Sequence, residues 1–295
     1  MWEELCVIVG YRCTMSCAHC CTHSAPQAKG TLQEADFARL EKALTRPALK
    51  YLSFSGGEPT LFVTDINRLI EMTNKDDSPE IIITTNGWFA GNSENVNRVL
   101  SKLKKIDRLN FSADNNHELD FKSAAIQNLK TWCQKLKVRF SVSYSYLGKS
   151  DLTAFAALKS EHPEVEFTIE PVQPKGRARN LVSEYDFRIA NGAKFGNDAK
   201  ITGPASSDIF CPSRGVVTYY PGLGFSACCA GGPIESIQEA HLDLAMLESS
   251  RFFNEMNATA LNRLADSNGK AIVIPNSVKS ECGACDYVCS VRRSS

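Results

Sequence analysis

Apolar positions along the first 170 residues follow two alternating periods. Residues 5–9, 51–55, 81–85, 107–112, 138–143 and 165–170 are runs of strand length, some ended by turn signals such as Gly56-Gly57 or Asn86-Gly87. Between them, 32–45, 65–72, 96–103, 122–136 and 152–160 carry helical spacing. In the first of these, Leu32, Phe37, Leu40 and Leu44 share a side, and Thr31 with Glu34 reads as a capping box. Phe121, Leu129 and Trp132 read as core. Six strand-then-helix steps with short connections predict an α/β fold built on a parallel sheet with right-handed crossovers. Six is fewer than the eight that close a full barrel, so the expected architecture is a partial (β/α)6 TIM-like barrel, open on one side.

Chemistry in such folds gathers at the C-terminal ends of the strands. The cysteine-rich loop after strand one, Gly56 to Pro59, Asn86, Ser112 and Asp114, Ser143 and Glu170 all fall there. Past residue 174 the pattern changes. A polar stretch, 174–204, carries Lys175, Arg177, Arg179 and Arg188, and short β-like runs with paired cysteines follow. Two units are expected, a core over 1–200 and a small Cys-rich domain over 201–295, with the boundary near 197–204.

Charge narrows the function classes. The 295 residues carry 33 basic and 33 acidic side chains, a net charge of zero. That balance argues against binding nucleic acid through a broad basic field. No apolar run approaches the roughly 18–20 residues that span a bilayer, and the N-terminus has no signal-peptide pattern. A cytoplasmic protein without membrane or nucleic-acid partners is expected.

Cysteine is the outlying residue type, with twelve in the chain. Four lie between Cys13 and Cys21, three between Cys282 and Cys289, and Cys228 and Cys229 are adjacent. Neighbours this close strain to form disulfides with one another but suit a metal centre. Cys6 and Cys133 fall inside a strand and a helix pattern and read as small buried groups. His117, His162 and His241 carry no ligand spacing and read as surface or capping residues. Cys13, Cys17 and Cys20 follow C-x3-C-x2-C on one loop. Three such thiolates can hold three corners of a cubane iron–sulfur cluster and leave the fourth iron open. A structural zinc site from these three with His23 or Cys21 is the plainer alternative, but it leaves Gly56-Gly57-Glu58-Pro59 unexplained. Two glycines there permit close backbone approach, and Glu58 can accept a hydrogen bond from a cationic amine.

The cysteine spacing, with His19 at its aromatic position, followed by Gly56-Gly57-Glu58-Pro59 after the next strand, resembles the radical S-adenosylmethionine (SAM) superfamily. The resemblance implies a 4Fe–4S cluster on Cys13, Cys17 and Cys20 whose open iron takes the amine and carboxylate of SAM. Reductive cleavage of SAM then gives a 5′-deoxyadenosyl radical that abstracts a hydrogen atom from the substrate. It also makes Asn86, Ser112, Asp114 and Ser143 candidates for the ribose and carboxylate of SAM. Arg177, in a segment resembling the one after strand six in such enzymes, is a candidate carboxylate partner.

Cys211-x12-Gly224-x4-Cys229, with Cys282-x2-Cys285 far downstream, resembles the auxiliary-cluster domain called SPASM or, when shortened, twitch. The six cysteines from Cys211 onward fit the shortened form, implying one auxiliary 4Fe–4S cluster on Cys211, Cys229, Cys282 and Cys285. Cys228 in place of Cys229 stays open, and a four-cysteine zinc ribbon has compatible spacing. Cys228 and Cys289 are then candidate hydrogen-atom donors to a substrate radical.

Such domains imply modification of a ribosomally made precursor peptide by cross-linking, oxidation or epimerisation. The expected partners are the precursor peptide and a flavodoxin- or ferredoxin-type reductant. The chain starts shortly before strand one, so a separate leader-peptide recognition protein, or the stretch 174–204, is expected to recognise the leader. The alternatives are a small-molecule alcohol dehydrogenase of the twitch type and a non-catalytic iron–sulfur or zinc scaffold.

Overall fold

Strands and helices alternate through the first 171 residues of the computed structural model, as the two periods predict. Strands β1 (Glu4–Ile8), β2 (Tyr51–Ser55), β3 (Glu80–Thr85), β4 (Arg108–Ser112), β5 (Arg139–Tyr146) and β6 (Glu166–Pro171) lie side by side in that order, all parallel. Helices α1 (Glu34–Leu44), α2 (Val63–Glu71), α3 (Ser93–Leu100), α4 (Lys122–Leu136) and α5 (Lys149–Glu161) make the crossovers. The structure describes residues 2–181 except 75–76 and 118, the backbone of 194–195 and 201–202, and residues 208–294 except 212, 236–238, 276 and 279. Arg188 and most of the boundary expected near 197–204 lie outside the described residues. Within that stretch a short antiparallel ladder, β7 (Lys194–Phe195) with β8 (Ile201–Thr202), is described by its backbone.

Side chains alternate across a strand, so each strand divides its residues between two faces. On one face Leu52, Phe54, Ile81, Ile83, Leu109, Phe111 and Val142 are buried in a core shared with Leu40, Ile66, Val96, Ile126, Leu129 and Cys133 of the helices. Cys133 is therefore the apolar filler expected of it. On the other face Ser53, Thr84, Asn110, Ser141, Ser143 and Thr168 line a single cavity, with Cys6 of β1 and Glu170 of β6. One cavity bounded by both the first and the sixth strand means that the sheet curls around it, the shape of a partial barrel. Cys6 thus departs from the expectation of a core residue. Its register puts it on the cavity face together with Glu4 and Ile8.

Two elements from beyond residue 200 join this sheet. β9 (Val216–Tyr220) runs parallel to β1, and β10 (Gly224–Ser226) turns back antiparallel to β9. The strand order becomes β10-β9-β1-β2-β3-β4-β5-β6, mostly parallel, with β10 and β6 as its edges. Residues on both sides of the expected boundary therefore share one sheet. The chain continues through α6 (Leu244–Ser249), α7 (Arg251–Ala258) and α8 (Glu281–Ser294). Among the described residues no helix is long and apolar enough to cross a membrane.

The start of α1 differs from the expected capping box. The Thr31 hydroxyl donates to the Val9 carbonyl at 3.1 Å, where Thr31 bridges back to Gly10 and closes the cysteine loop. Asp36 takes the capping role instead and accepts from the Gln33 amide at 2.8 Å. The same buried carboxylate accepts from Tyr219 Oη at 2.7 Å and from the Gly222 amide at 3.1 Å, joining α1 to the β9–β10 hairpin. Asp36→Ala removes the acceptor of four donors, Arg39 among them and two in the hairpin, and is expected to cost about 2–3 kcal/mol in urea unfolding of the cluster-free protein.

Candidate active site

The loop from β1 to α1 carries Cys13, Cys17 and Cys20, and its shape is set by backbone hydrogen bonds. Tyr11 N–H donates to the Gly30 carbonyl at 3.0 Å and Cys13 N–H to the Ala25 carbonyl at 3.1 Å, so the two sides of the loop pair like a short ribbon. The Ser24 amide donates to Cys20 Sγ at 3.3 Å, and Asn86 Nδ2 lies 3.4 Å from Cys13 Sγ and 3.1 Å from Thr14 Oγ1. All three cysteines line the cavity. Burial pushes the Cys13 thiol up and the Cys17 thiol to about 12, and the neighbouring loop cysteines add to both.

Gly56 to Pro59 sits directly beneath this loop. Gly57 N–H donates to the Gly10 carbonyl at 2.8 Å and Glu58 N–H to the Arg12 carbonyl at 3.0 Å. A Cβ on Gly57 would lie 2.0 Å from the Arg12 carbonyl oxygen, and Gly56 has φ +133° with the Gly10 oxygen 2.6 Å from its would-be Cβ. The close approach demanding glycine is thus to the cysteine loop as well as to the cavity both glycines line. Glu58 departs from the role expected of it. It is fully buried and lies outside the cavity lining, while Pro59 begins a short 3-10 turn. Its Oε1 accepts from Thr60 N, Thr60 Oγ1 and Thr85 Oγ1 at 3.1, 2.7 and 2.8 Å, and its Oε2 from Asn86 N at 2.8 Å. Burial pushes this carboxyl up, against the pull of those donors. Glu58 fastens the turn after β2 to the end of β3 and thereby places Asn86 against Cys13.

The cavity has a volume of about 650 Å³. Asn86, Ser112, Asp114, Ser143 and His19 all line it, with Arg177. Asp114 is buried, with its Oδ2 3.0 Å from His117 Nδ1 and 3.6 Å from His19 Nε2. Burial raises Asp114, but the hydrogen bond and charge of His117 and the charge of His19 outweigh it and hold the carboxyl below its usual value. Burial likewise lowers His19. His117 is therefore a cavity residue, not a surface one, and its ring packs edge-on to His19 with centroids 5.0 Å apart. Ser143 Oγ shares a hydrogen-bond pair with the Asn110 amide at 2.8–3.0 Å. Arg177 is committed to the loop, donating from Nε to the Cys17 carbonyl at 2.8 Å and from Nη2 to the Ser24 carbonyl at 2.7 Å.

The C-terminal cysteines divide. Cys229 lines the cavity, 2.6 Å from Ser213 Oγ, and burial pushes its thiol to about 12. Cys228 turns the other way, is buried and does not line the cavity. Cys211, Cys228, Cys282 and Cys285 each feel the charge of Lys175, which draws their thiols down against burial. Cys289, on α8, is hydrogen-bonded to Cys285 and lines a separate hollow of about 190 Å³ with His241 and Phe253. Neither Cys228 nor Cys289 thus lines the main cavity.

Among the described residues, His19, Asp114 and His117 are the one trio whose ligand atoms all lie within 4.8 Å of each other. The sulfurs of Cys13, Cys17 and Cys20 do not form such a trio, so at least one pair stands wider than the roughly 3.8 Å edge of a tetrahedral zinc–thiolate site. Three thiols on one loop, two of them buried and Cys20 half-buried, with an amide donor on Cys20 and the Asn86 amide on Cys13, fit three corners of a cubane. Residues 7–137 match the Radical SAM superfamily. The chain carries a radical SAM domain. Such a domain implies enzymatic chemistry with a 4Fe–4S cluster and SAM, and Cys13, Cys17 and Cys20 all line the cavity where the cluster would sit. The matched span contains the loop cysteines, Gly56 to Pro59, Asn86, Ser112 and Asp114, whereas Ser143, Arg177 and the C-terminal cysteines lie beyond it.

Three curated proteins are similar over part of the chain. A "Probable GTP 3',8-cyclase" of Methanococcus maripaludis is 29% identical over 38% of this chain and 36% of its own length. A "Probable GTP 3',8-cyclase" of Methanothermobacter thermautotrophicus is 32% identical over 35% of this chain and 32% of its own. The "Putative peptide biosynthesis protein YydG" of Bacillus subtilis is 27% identical over 40% of this chain and 38% of its own. The chain thus spans little more than a third of the length of the curated relatives it matches.

Two outcomes follow from the loop. Thiols held up by burial must each lose a proton to bind iron, so anaerobic reconstitution should load more iron at pH 8.5 than at pH 6.5, read as iron per chain. Glu58→Ala should cost about 2–4 kcal/mol in urea unfolding by stranding buried donors, and loop-bound iron should fall with it.

Proposed function

We propose that the chain is a radical SAM enzyme that abstracts a hydrogen atom from a ribosomally made precursor peptide and returns one to it, an epimerisation. Cys229 carries this reading. It is a thiol in the cavity that also holds the loop cysteines, outside the group gathered about Lys175. A thiol so placed can give a hydrogen atom to a carbon radical, and an electron and a proton must later restore it. The hydroxyl-rich wall of β5 and β2 suits a peptide backbone, which needs partners for its own N–H and C=O groups. Glu170 and Glu166 of the edge strand β6 face the same space.

The likeness to YydG, described as a peptide biosynthesis protein, supports the peptide substrate. The likeness to the GTP cyclases covers a similar share of the chain, so the choice of a peptide rests on the cavity and its thiol as well. In this proposal Cys211, Cys228, Cys282 and Cys285 hold one auxiliary 4Fe–4S cluster of the twitch kind, in the unit over 201–295. The reductant is a flavodoxin or ferredoxin, a separate protein recognises the leader, and the enzyme works in the cytoplasm. When bound, the cluster and SAM supply the electron and the radical. The protein positions them, with Arg177 holding the loop, Glu58 placing Asn86, and Asp114 orienting His19.

The test is anaerobic co-expression with the short reading frames beside the gene, followed by high-resolution mass measurement. Epimerisation predicts unchanged peptide mass in water and a gain of about one mass unit in heavy water. Cys229→Ala should abolish that gain while 5′-deoxyadenosine still forms, and Cys289→Ala should leave it intact. A loss of two hydrogens would replace epimerisation with oxidation or cross-linking. SAM cleavage without any peptide change would point to a small-molecule substrate.

A further inference from the structure

Lys175 is 1% exposed and its ammonium contacts Asp286 on α8, the residue after Cys285. Lysine is almost never this buried without a reason, and an isolated buried Lys–Asp pair returns less than the desolvation it costs. The surroundings supply the reason. An ammonium has three donors, and Cys211, Cys228, Cys282 and Cys285 all lie within its electrostatic reach, as does Cys289, whose hydrogen bond to Cys285 keeps it one step further out. Lys175 is not among the main influences on Cys229, the thiol in the cavity.

Lys175 also sits in a short connection between the two cysteine sites. On one side, Gln173 Oε1 accepts from Cys282 N at 3.4 Å, and its Nε2 donates to Glu281 Oε2 at 3.2 Å, seating the start of α8. On the other, Arg177 N–H donates to the Cys20 carbonyl at 3.0 Å and its guanidinium holds the Cys17 carbonyl. Gly176 between them has φ +57°, and a Cβ there would meet the Cys20 carbonyl oxygen at 2.4 Å. Five residues thus fasten α8 to the SAM-cluster loop, with one buried cation in the middle.

We propose that Lys175 is a positioning residue of the C-terminal thiol site: anchored by Asp286, its charge balances a four-thiolate cluster on Cys211, Cys228, Cys282 and Cys285 and raises that cluster's reduction potential. This rests on reading those thiols as cluster ligands. Four thiolates around a cubane leave net negative charge in a buried site, and adding an electron increases it. A cation at this place therefore favours the reduced form, net charge and hydrogen bonding being what the protein uses to set such potentials. Because Lys175 and Arg177 share one connection, the same segment sets where the second cluster stands relative to the first.

The experiment uses the full chain with Cys13, Cys17 and Cys20 replaced by Ala, so that any iron retained after anaerobic reconstitution belongs to the C-terminal site. Iron is counted and the midpoint potential is followed by electron paramagnetic resonance, neither of which requires activity. Lys175→Met should disfavour reduction at least tenfold, about 59 mV for one electron. Asp286→Asn, which frees the lysine charge, should move the potential the other way, and Lys175→Arg should stay near the parent. Loss of iron in Lys175→Met that Lys175→Arg restores also supports the counter-charge. Unchanged potential in Lys175→Met with iron retained overturns the role of Lys175 alone, as does equal loss of iron in the Met and Arg variants. A parent that binds no iron in this background overturns the four-thiol reading itself, and the proposal with it.

Discussion

Two backbone hydrogen bonds, from Gly57 to Gly10 and from Glu58 to Arg12, hold the cysteine loop over the end of β2, and much of the site depends on them. They can form because neither glycine brings a Cβ into the space taken by the carbonyls of residues 10 and 12. Once the turn is docked, the Glu58 side chain lies beneath it with no exposure to solvent, so its oxygens must find donors. It finds them in Thr60, Thr85 and Asn86. That requirement joins β2 to β3 where the strands end and brings the Asn86 amide to Cys13. The acidic residue of the motif shapes the site from underneath, and the chemistry on its far side is left to the loop.

A second constraint acts from the C-terminal half. Gln173, Lys175, Gly176 and Arg177 follow β6 at once, so their positions are tied to the last strand of the parallel series. Through Arg177 they hold the backbone of the cysteine loop, and through Gln173 and Lys175 they hold α8. The β9–β10 hairpin completes the enclosure from the other edge. β9 pairs with β1, and the turn after β10 sends Cys228 one way and Cys229 into the cavity. The cavity is thus walled by strands and capped by two cysteine-bearing segments that approach from opposite ends of the chain.

Much of this was legible beforehand. The boundaries of β2 and α4 agree to the residue with the periodic pattern, and the other early elements agree to within a few. These elements are set by local spacing of apolar residues against a shared core, which a sequence displays directly. The loop cysteines were legible because three thiols within eight positions have few other uses. The hydroxyl-lined wall was visible in principle, since Ser141, Ser143 and Ser145 alternate with apolar residues in β5, but only closure of the sheet turns that face into a cavity. Thr31 was misread as a cap because its partner, the Val9 carbonyl, is distant in sequence. His117 differs from its reading because the ring it packs against, His19, is almost 100 positions away and only the closed cavity brings the two together.

The sequence by itself determined the alternating α/β architecture, the loop that carries three closely spaced cysteines, and the glycines that let that loop dock. Each depends on neighbours close in the chain or on residue types with few alternatives. Tertiary structure decided which polar groups face each other across the barrel mouth. It sent Glu58 to bury its carboxylate among four donors and used Arg177 on loop carbonyls. It separated Cys229 from Cys228 and buried Lys175 against Asp286 of α8. Such pairings are fixed by the curl of the sheet and the seat of α8. They join residues as far apart as Arg177 and Cys17, 160 positions, a range at which neither spacing nor periodicity carries a signal.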